Sequence, residues 1–196
     1  MEAAISYLEG DLINLNGKNL TFDVGSTSVA QVPPVISGAG GLIKTGPGGA
    51  VLYASSIFSG SVQILQGYVS IYDEHALGDT NGNTTISSAA GLVLVNTTTV
   101  SEPLVLAGTL NTAVGPETLN GSVILTDPNA TILVQNGAPL TINGIISGTG
   151  GFTKDQAEVL TLNANNTYTG TTTVNGAGIL QVNGAHGYGR HGDVRR

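Results

Sequence analysis

Hydrophobic and polar residues alternate in short segments along almost the whole chain. The segments are rich in Val, Ile, Leu and Thr, and Gly, Asn, Asp or Pro residues bound them. Such alternation places the apolar side chains on one face of a strand, and the bounding residues favour tight turns. No window shows an apolar period of about 3.6 residues that is long enough for a helix, so the pattern predicts an all-β protein. Clear examples are residues 20–24, 68–72, 92–95, 104–106, 123–126, 131–134, 159–162 and 179–182.

One stretch of sequence occurs twice. Residues 36–44 read ISGAGGLIK, and residues 146–154 read ISGTGGFTK without any insertion or deletion between the copies. After each copy come an apolar strand, an aromatic residue near a glycine, and further strands. A long module that recurs within a series of even, short strands favours coils stacked along one axis over a sandwich or a barrel.

We therefore predict a right-handed parallel β-helix, or β-solenoid, of roughly eight or nine coils with about 20–25 residues in each. We expect one domain over residues 1–189, with repeat modules at about 36–78 and 146–189. Apolar side chains would stack in the interior, and glycines would allow the sharp corners. Residues 190–196 lack the alternation and are predicted to form a disordered tail.

The two modules resemble the autotransporter-associated β-strand repeat, also called the passenger-associated transport repeat. In the second copy, segment 146–154 is followed by an apolar strand at 160–163, the turn NTYTG at 166–170 and a closing strand at 178–182. The first copy departs from this pattern, because SIFSG at 56–60 replaces the turn. The resemblance implies a β-helical stalk in a large secreted bacterial protein, often an autotransporter passenger. It implies nothing about a ligand.

Composition narrows the functional classes. Charged residues make up only 10% of the 196 residues, and the formal net charge is −7 with six Lys and Arg, which argues against a nucleic-acid partner. The chain has no cysteine, so disulfides and thiolate metal sites are excluded. No apolar stretch approaches the ~20 residues of a membrane-spanning helix. The first residues lack the features of a signal peptide, so we expect the signal and any membrane anchor to lie outside this chain.

The motifs that suggest chemistry are better explained by turns. The glycine-rich segments lack the spacing of a nucleotide loop, and no helix follows them. Residues 79–83 (DTNGN) resemble the start of a calcium loop, but the third carboxylate and the final Glu are missing. His75 lies beside Asp73 and Glu74, which we interpret as a solvated turn. We therefore predict no catalytic, cofactor-binding or metal-binding residues. The other histidines have no paired ligand pattern: His186 and His191.

Acidic and aromatic residues leave two hypotheses open. The acidic residues lie mostly singly at predicted turns, as at Asp11, Asp23, Asp79, Glu102, Glu117 and Asp127. Acidic residues that stand alone indicate a non-enzymatic protein. Their neighbours on adjacent coils cannot be assigned from the sequence, however. A carbohydrate-active or carbohydrate-binding β-helix, such as a phage tailspike fragment, therefore stays as the alternative. Tyr68 and Tyr72 are four residues apart and would face the same way on a strand. They are candidate partner-binding residues, with packing in a ladder as the competing interpretation.

The predicted function is structural. We expect a stalk or passenger segment of a bacterial secreted or cell-surface protein, located outside the cell, with an adhesive role as the nearest variant. Neither end carries a polar helical cap, so we also expect end-to-end β-stacking on copies of itself or on neighbouring repeats. Host or surface glycans and proteins are the other expected partners, and no cofactor is expected.

Overall fold

The computed structural model describes residues 5–7, 10–97 and 99–184. The described residues form strands and turns and contain no helix. Neighbouring strands pair in parallel, and most strands pair with the equivalent strand of the next coil. The predicted parallel β-solenoid is therefore confirmed. The predicted tail at 190–196, His186 and His191 lie outside the described residues.

The strands form three faces that run along the solenoid axis. The first face is a nine-stranded sheet, so its successive strands mark eight turns of the solenoid. Turn length varies, because Gly91 pairs with Thr109 in one turn, whereas Ile5 pairs with the more distant Val29 in another. The strands of this sheet are β1 (Ile5–Tyr7), β4 (Val29–Val32), β7 (Gly49–Leu52), β10 (Gly67–Ile71), β12 (Ala90–Val95), β15 (Thr109–Val114), β18 (Ala130–Val134), β21 (Phe152–Asp155) and β23 (Thr172–Val174).

The second face is divided into two sheets. Its three-stranded part contains β2 (Leu12–Asn14), β5 (Val35–Gly38) and β8 (Ile57–Phe58). Its five-stranded part contains β13 (Thr99–Val100), β16 (Glu117–Leu119), β19 (Leu140–Ile142), β22 (Val159–Leu162) and β24 (Ile179–Val182). The third face is a seven-stranded sheet of β3 (Leu20–Asp23), β6 (Leu42–Thr45), β9 (Val62–Ile64), β11 (Thr84–Ile86), β14 (Leu104–Leu106), β17 (Val123–Leu125) and β20 (Ile146–Gly148).

The core is a set of stacked apolar columns inside the three faces. Inward residues of the first sheet lie in register from coil to coil and are buried, as are those of the third sheet. Because a single coil is too short to enclose its own apolar residues, this stacking supplies most of the burial. Two such columns are Val69, Leu92, Leu110 and Ile132 on the first face and Ile64, Ile86, Leu106 and Leu125 on the third.

A ladder of asparagines stabilises the corner that follows the second face. Asn143 donates from Nδ2 to Oδ1 of Asn120 over 2.9 Å. Asn163 donates in the same way to Asn143, and Asn183 to Asn163, each over 2.7 Å. Each amide thus bonds to its neighbour along the axis, in the manner of an asparagine ladder.

The fourth coil interrupts the second face. Between β10 and β11, residues 72–83 form turns where the neighbouring coils place a strand. Within this segment Ala76 and Leu77 are buried in the core. Backbone hydrogen bonds attach it to the third coil, from Ser56 N to His75 O (3.1 Å) and from Asp79 N to Phe58 O (2.8 Å). Within the described residues β13 pairs only with β16, so its edge toward the fourth coil has no strand partner.

The two sequence repeats occupy different faces. The first copy runs from β5 on the second face into β6 on the third, whereas the second runs from β20 on the third face into β21 on the first. The motif therefore encodes a strand, a corner and a strand, independently of the face on which they lie. In both copies the corner glycine has positive φ, 100° at Gly38 and 106° at Gly148, a conformation that glycine adopts without strain.

Candidate binding groove

Tyr68 lies on the outer surface of the first sheet, between two glycines of the neighbouring coils. It pairs with Gly49 on one side and with Gly91 on the other. A Cβ atom at Gly49 would overlap the ring of Tyr68, so the ring lies over the third coil. The close approach of the ring thus requires a glycine at position 49. The ring leans away from Gly91, which leaves the surface of the fifth coil open.

This arrangement forms an open groove of about 520 Å³ on the outer face. Tyr68 forms one wall and is 37% exposed. Gly91 forms the floor, and Asn111 lies on the far side, where its Oδ1 accepts a hydrogen bond from Gln135 Nε2 over 3.3 Å. The turn at Ser88 and Ala89 closes one end. None of the described residues that line the groove is charged, so its binding groups are an aromatic ring, hydroxyls, an amide and the backbone.

A column of threonines extends from this groove along the solenoid axis. In register after Tyr68 and Gly91 come Thr109, Thr131, Thr153 and Thr173. These threonines are half-buried on the outer face. Parallel strands repeat about every 4.8 Å, so the column presents one hydroxyl group per rung. An extended ligand that lies along the axis would meet the Tyr68 ring first and then this row of hydroxyls.

Tyr72 belongs to a different cluster from Tyr68. It follows the end of β10 and is 46% exposed. Its ring packs against Tyr53 with centroids 5.0 Å apart. The Tyr53 hydroxyl donates to Oε1 of Gln31 over 2.5 Å. The two predicted partner-binding residues are both exposed, but the structure does not bring them into one aromatic surface: Tyr68 borders the groove and Tyr72 packs at a corner.

The turn of the fourth coil contains the His75 and Asp79 clusters noted in the sequence. His75 Nδ1 lies 3.9 Å from Asp73 Oδ1 and 3.8 Å from Glu74 Oε1, and these side chains are solvated. Asp79 accepts hydrogen bonds from Asn81, at Oδ1 from the backbone N (3.1 Å) and at Oδ2 from Nδ2 (2.8 Å). Both carboxylate oxygens of Asp79 thus bind within their own turn, as expected of an Asp-initiated turn.

Sequence reasoning missed two buried lysines, one in each repeat. Lys44 donates from Nζ to the carbonyls of Thr45 (2.6 Å), Gly46 (2.7 Å) and Gln66 (3.2 Å). Lys154 donates to those of Asp155 (3.0 Å) and Gln156 (2.6 Å). Burial lowers the pKa of both ammonium groups, and nearby carboxylates oppose the shift. The lysines satisfy corner carbonyls. The sequence signal that could have revealed these lysines is that Lys ends both copies of the repeated segment.

Two of the acidic residues predicted at turns are buried. Glu102 lies between β13 and β14, as predicted, whereas Glu117 lies in a strand, which corrects its predicted placement. Glu117 lies within β16 and is 1% exposed. Its carboxylate accepts hydrogen bonds from the backbone N of Thr97 (3.2 Å) and from Thr97 Oγ1 (2.5 Å). Glu102 is 3% exposed, and its Oε1 accepts from Thr84 Oγ1 over 3.4 Å. Such burial was not visible in the sequence, because it depends on which coil lies above each residue.

Comparison with known proteins agrees with this architecture. The family model of the passenger-associated-transport-repeat matches residues 42–71 and 152–182. The Adhesin BmaC autotransporter of Brucella suis biovar 1 (strain 1330) is 30% identical over 188 residues, which cover 92% of this chain and 5% of that protein. The chain thus spans a small part of the length of this relative. No solved structure matches the chain.

The described residues form stacked parallel coils without helix, and apolar columns and corner ladders hold these coils together. This architecture defines the class of the protein as a β-solenoid repeat protein. Both matched segments lie inside the two predicted modules, and each includes one of the buried lysines. The chain contains two passenger-associated transport repeats. Among its described residues no helix is long and apolar enough to cross a membrane.

Proposed function

We propose that this chain is a rigid segment of the passenger of a bacterial surface protein, exposed outside the cell, with a non-enzymatic and adhesive role. The observation that carries the proposal is the pair of passenger-associated transport repeats within an uninterrupted first sheet of nine strands. A solenoid of this kind continues its core along the axis, which suits a stalk that holds other parts of a protein away from the cell. The relative that is named an adhesin supports the adhesive part.

The groove at Tyr68 supports adhesion to a linear glycan. Sugar rings have apolar faces that pack on aromatic rings and hydroxyls that bond to amides and hydroxyls, and the groove offers both kinds of group. Tyr68 would provide the stacking face, and Asn111 and the threonine column would bond to successive sugars along the axis. Since the described lining residues carry no charge, a neutral glycan fits the groove better than a charged one.

Binding to an array of immobilised linear hexasaccharides tests this role. Tyr68→Ala is expected to weaken binding about tenfold, because it removes the stacking face. Tyr72→Ala removes a comparably exposed tyrosine outside the groove and is the matched control. Failure of the wild-type chain to bind any hexasaccharide would refute the glycan proposal, and equal losses in both variants would refute the location. Shortened sugars in the eluate would instead favour the carbohydrate-active alternative.

A second proposed property is association end to end. In the described residues β24 is the last strand of the second face and has one strand partner, β22. It leaves Ile179 52% and Val182 37% exposed. A strand edge with apolar side chains favours addition of another strand. The stacked partner would be a copy of this chain or a neighbouring repeat.

Light scattering with negative-stain images tests the association. The wild-type chain is expected to grow into thin filaments as its concentration rises, and an Ile179→Lys, Val182→Lys variant is expected to stay monomeric because charge at the edge opposes pairing. The matched control is Ile124→Lys, which charges an exposed isoleucine on the side of the third face. A wild-type chain that stays monomeric at every concentration would contradict end-to-end stacking.

A further inference from the structure

The dipeptide Asn-Gly occurs seven times in the chain, and in this dipeptide the asparagine side chain can react with its own backbone. Glycine has no side chain to hinder the approach of its backbone nitrogen to the preceding amide. Attack of that nitrogen on the asparagine Cγ modifies the protein without an enzyme. Because all seven pairs share the same sequence, the structure around each pair decides whether it reacts. The asparagines are Asn16, Asn81, Asn120, Asn136, Asn143, Asn175 and Asn183.

Three of these pairs belong to the asparagine ladder, where the amide is held and the glycine is packed. Asn143 is bonded at both ends of its amide, because its Nδ2 donates to Asn120 (2.9 Å) and its Oδ1 accepts from Asn163 (2.7 Å). A Cβ atom on the following Gly144 would lie only 1.9 Å from the carbonyl oxygen of Gly121 on the preceding coil. The other two ladder glycines are packed in the same way. Neither the amide nor the peptide plane can therefore turn toward the other.

Two further pairs are restrained by hydrogen bonds to carboxylates. Asn81 donates from Nδ2 to Oδ2 of Asp79 over 2.8 Å, so its side-chain amide is held in its own turn. Gly137, which follows Asn136, donates from its backbone N to Oε2 of Glu158 over 3.0 Å. One of the two reacting groups in each pair is thus already bonded, and we expect both pairs to react more slowly than an unrestrained pair.

The two remaining pairs lie in open turns, which are Asn16–Gly17 and Asn175–Gly176. Both asparagines are exposed, and within the described residues neither side-chain amide makes a hydrogen bond. Gly17 and Gly176 have positive φ of 77° and 59°, and their backbone N atoms donate no hydrogen bond to any described residue. No atom lies within 4 Å of the position of a Cβ on either glycine. These turns therefore leave room for the peptide plane to rotate and for its nitrogen to reach the side chain.

We propose that Asn16 and Asn175 are self-modification sites that convert to aspartate and isoaspartate, and that the asparagine ladder protects its own Asn-Gly pairs from this reaction. In the first step the glycine N forms a bond to the asparagine Cγ, the bond from Cγ to Nδ2 breaks, and ammonia leaves. The proton of the glycine N passes through solvent to the leaving nitrogen. Water then adds to one of the two carbonyl groups of the succinimide ring and breaks the adjacent C–N bond. The net reaction converts asparagine and water into an acidic residue and ammonia.

The place of each pair in the solenoid determines what its conversion would do. Each conversion adds one negative charge to a chain whose formal net charge is −7. At the open turns this charge is solvated, and no side-chain hydrogen bond among the described residues is lost. In the ladder a carboxylate at Asn143 could no longer donate to Asn120, and carboxylates on successive coils would repel each other. The solenoid therefore keeps its amides where the coils need them, while surface charge increases with time at the open turns.

Peptide mapping of the folded chain by mass spectrometry, after prolonged incubation at pH 8, tests the proposal. The mass reveals replacement of the amide nitrogen by oxygen, and electron-transfer fragmentation distinguishes isoaspartate from aspartate. Asn16 and Asn175 are expected to convert at least about tenfold faster than Asn143, because the ladder holds the reacting groups of Asn143 apart. The same chain in concentrated urea is the control. There the coils are absent, and the three rates should become similar because the three pairs share one dipeptide.

The variant Asn163→Ala tests the ladder itself. It removes the donor to Asn143 Oδ1 and leaves the packing of Gly144 in place. Conversion at Asn143 in the folded variant should rise severalfold, with circular dichroism to verify the fold. Asn129→Ala, at an exposed asparagine outside the ladder, is the matched control and should leave that rate unchanged. A rate at either open turn no faster than at Asn143 in the folded wild type would overturn the assignment of the sites. An unchanged rate at Asn143 in Asn163→Ala would overturn the protective role of the ladder.

Discussion

Replacing Glu102 by Gln should stabilise the protein in a pH-dependent way. Burial raises the pKa of the folded-state carboxyl from 4.5 to about 7. The unfolded chain therefore loses this proton near pH 4.5, while the folded chain holds it up to about pH 7. Between pH 4.5 and about pH 7 the folded state therefore binds more protons than the unfolded state, so the free energy of unfolding of the wild type falls as pH rises. Below this range both states are protonated, and the penalty is absent.

The size of the effect follows from the shift. One pKa unit corresponds to about 1.4 kcal/mol, so a rise from 4.5 to about 7 costs the wild type up to about 3 kcal/mol above pH 7. Gln does not ionise and carries no such penalty. The advantage of Glu102→Gln over wild type should thus grow by up to about 3 kcal/mol between pH 4.5 and pH 7 and then remain constant.

Urea unfolding followed by circular dichroism between pH 4 and pH 8 measures this difference. Glu74→Gln, which replaces a more exposed carboxylate, is the control. If the curves of wild type and Glu102→Gln run parallel across the whole range, the carboxyl is not desolvated, and the explanation of its pKa is wrong.

Three further substitutions test the structural reasoning by urea unfolding. Lys154→Met should lower the free energy of unfolding by about 1–3 kcal/mol, because the carbonyls of Asp155 and Gln156 lose their hydrogen-bond donor. The control Lys18→Met replaces an exposed lysine and should leave the free energy of unfolding nearly unchanged. Phe58→Ala should cost about 3–5 kcal/mol because the ring is fully buried, with exposed Ile57→Ala near zero. Gly148→Ala should lower the free energy of unfolding by about 3 kcal/mol or more, because the new Cβ would overlap the carbonyl of Leu125. Its control is Gly137→Ala, which is also at positive φ but in open space and should lower the free energy of unfolding by only about 1–2 kcal/mol. Equal costs within any of these pairs would refute the corresponding contact.

Local features were predictable because they depend on neighbours along the chain. In segments such as 131–134 the alternation places Ile132 and Val134 inside and Thr131 outside, and this holds regardless of which strand is the neighbour. The corner glycines were predictable for the same reason, because a sharp turn at Gly38 or Gly148 requires a backbone conformation that other residues adopt only with strain. Repetition of such units along one chain was then enough to indicate a solenoid.

Contacts between coils were decided only by the tertiary structure. The length of a turn differs from coil to coil, so the spacing in sequence does not reveal which residue stacks on which. The sequence likewise does not reveal that the two repeats lie on different faces, or that Tyr68 and Tyr72 belong to different surfaces.

The same uncertainty hid the chemistry of the interior. Whether an acidic residue is solvated or buried depends on the coil above it, as the hydrogen bond from Thr97 to Glu117 and the burial of Glu102 show. Sequence alone determined that this chain would form strands, corners and a stacked core, because the spacing of its apolar residues and of its turn residues sets these features. The polar sites were set by the register between coils, since a hydrogen bond or a cavity requires atoms that only the stacking brings together.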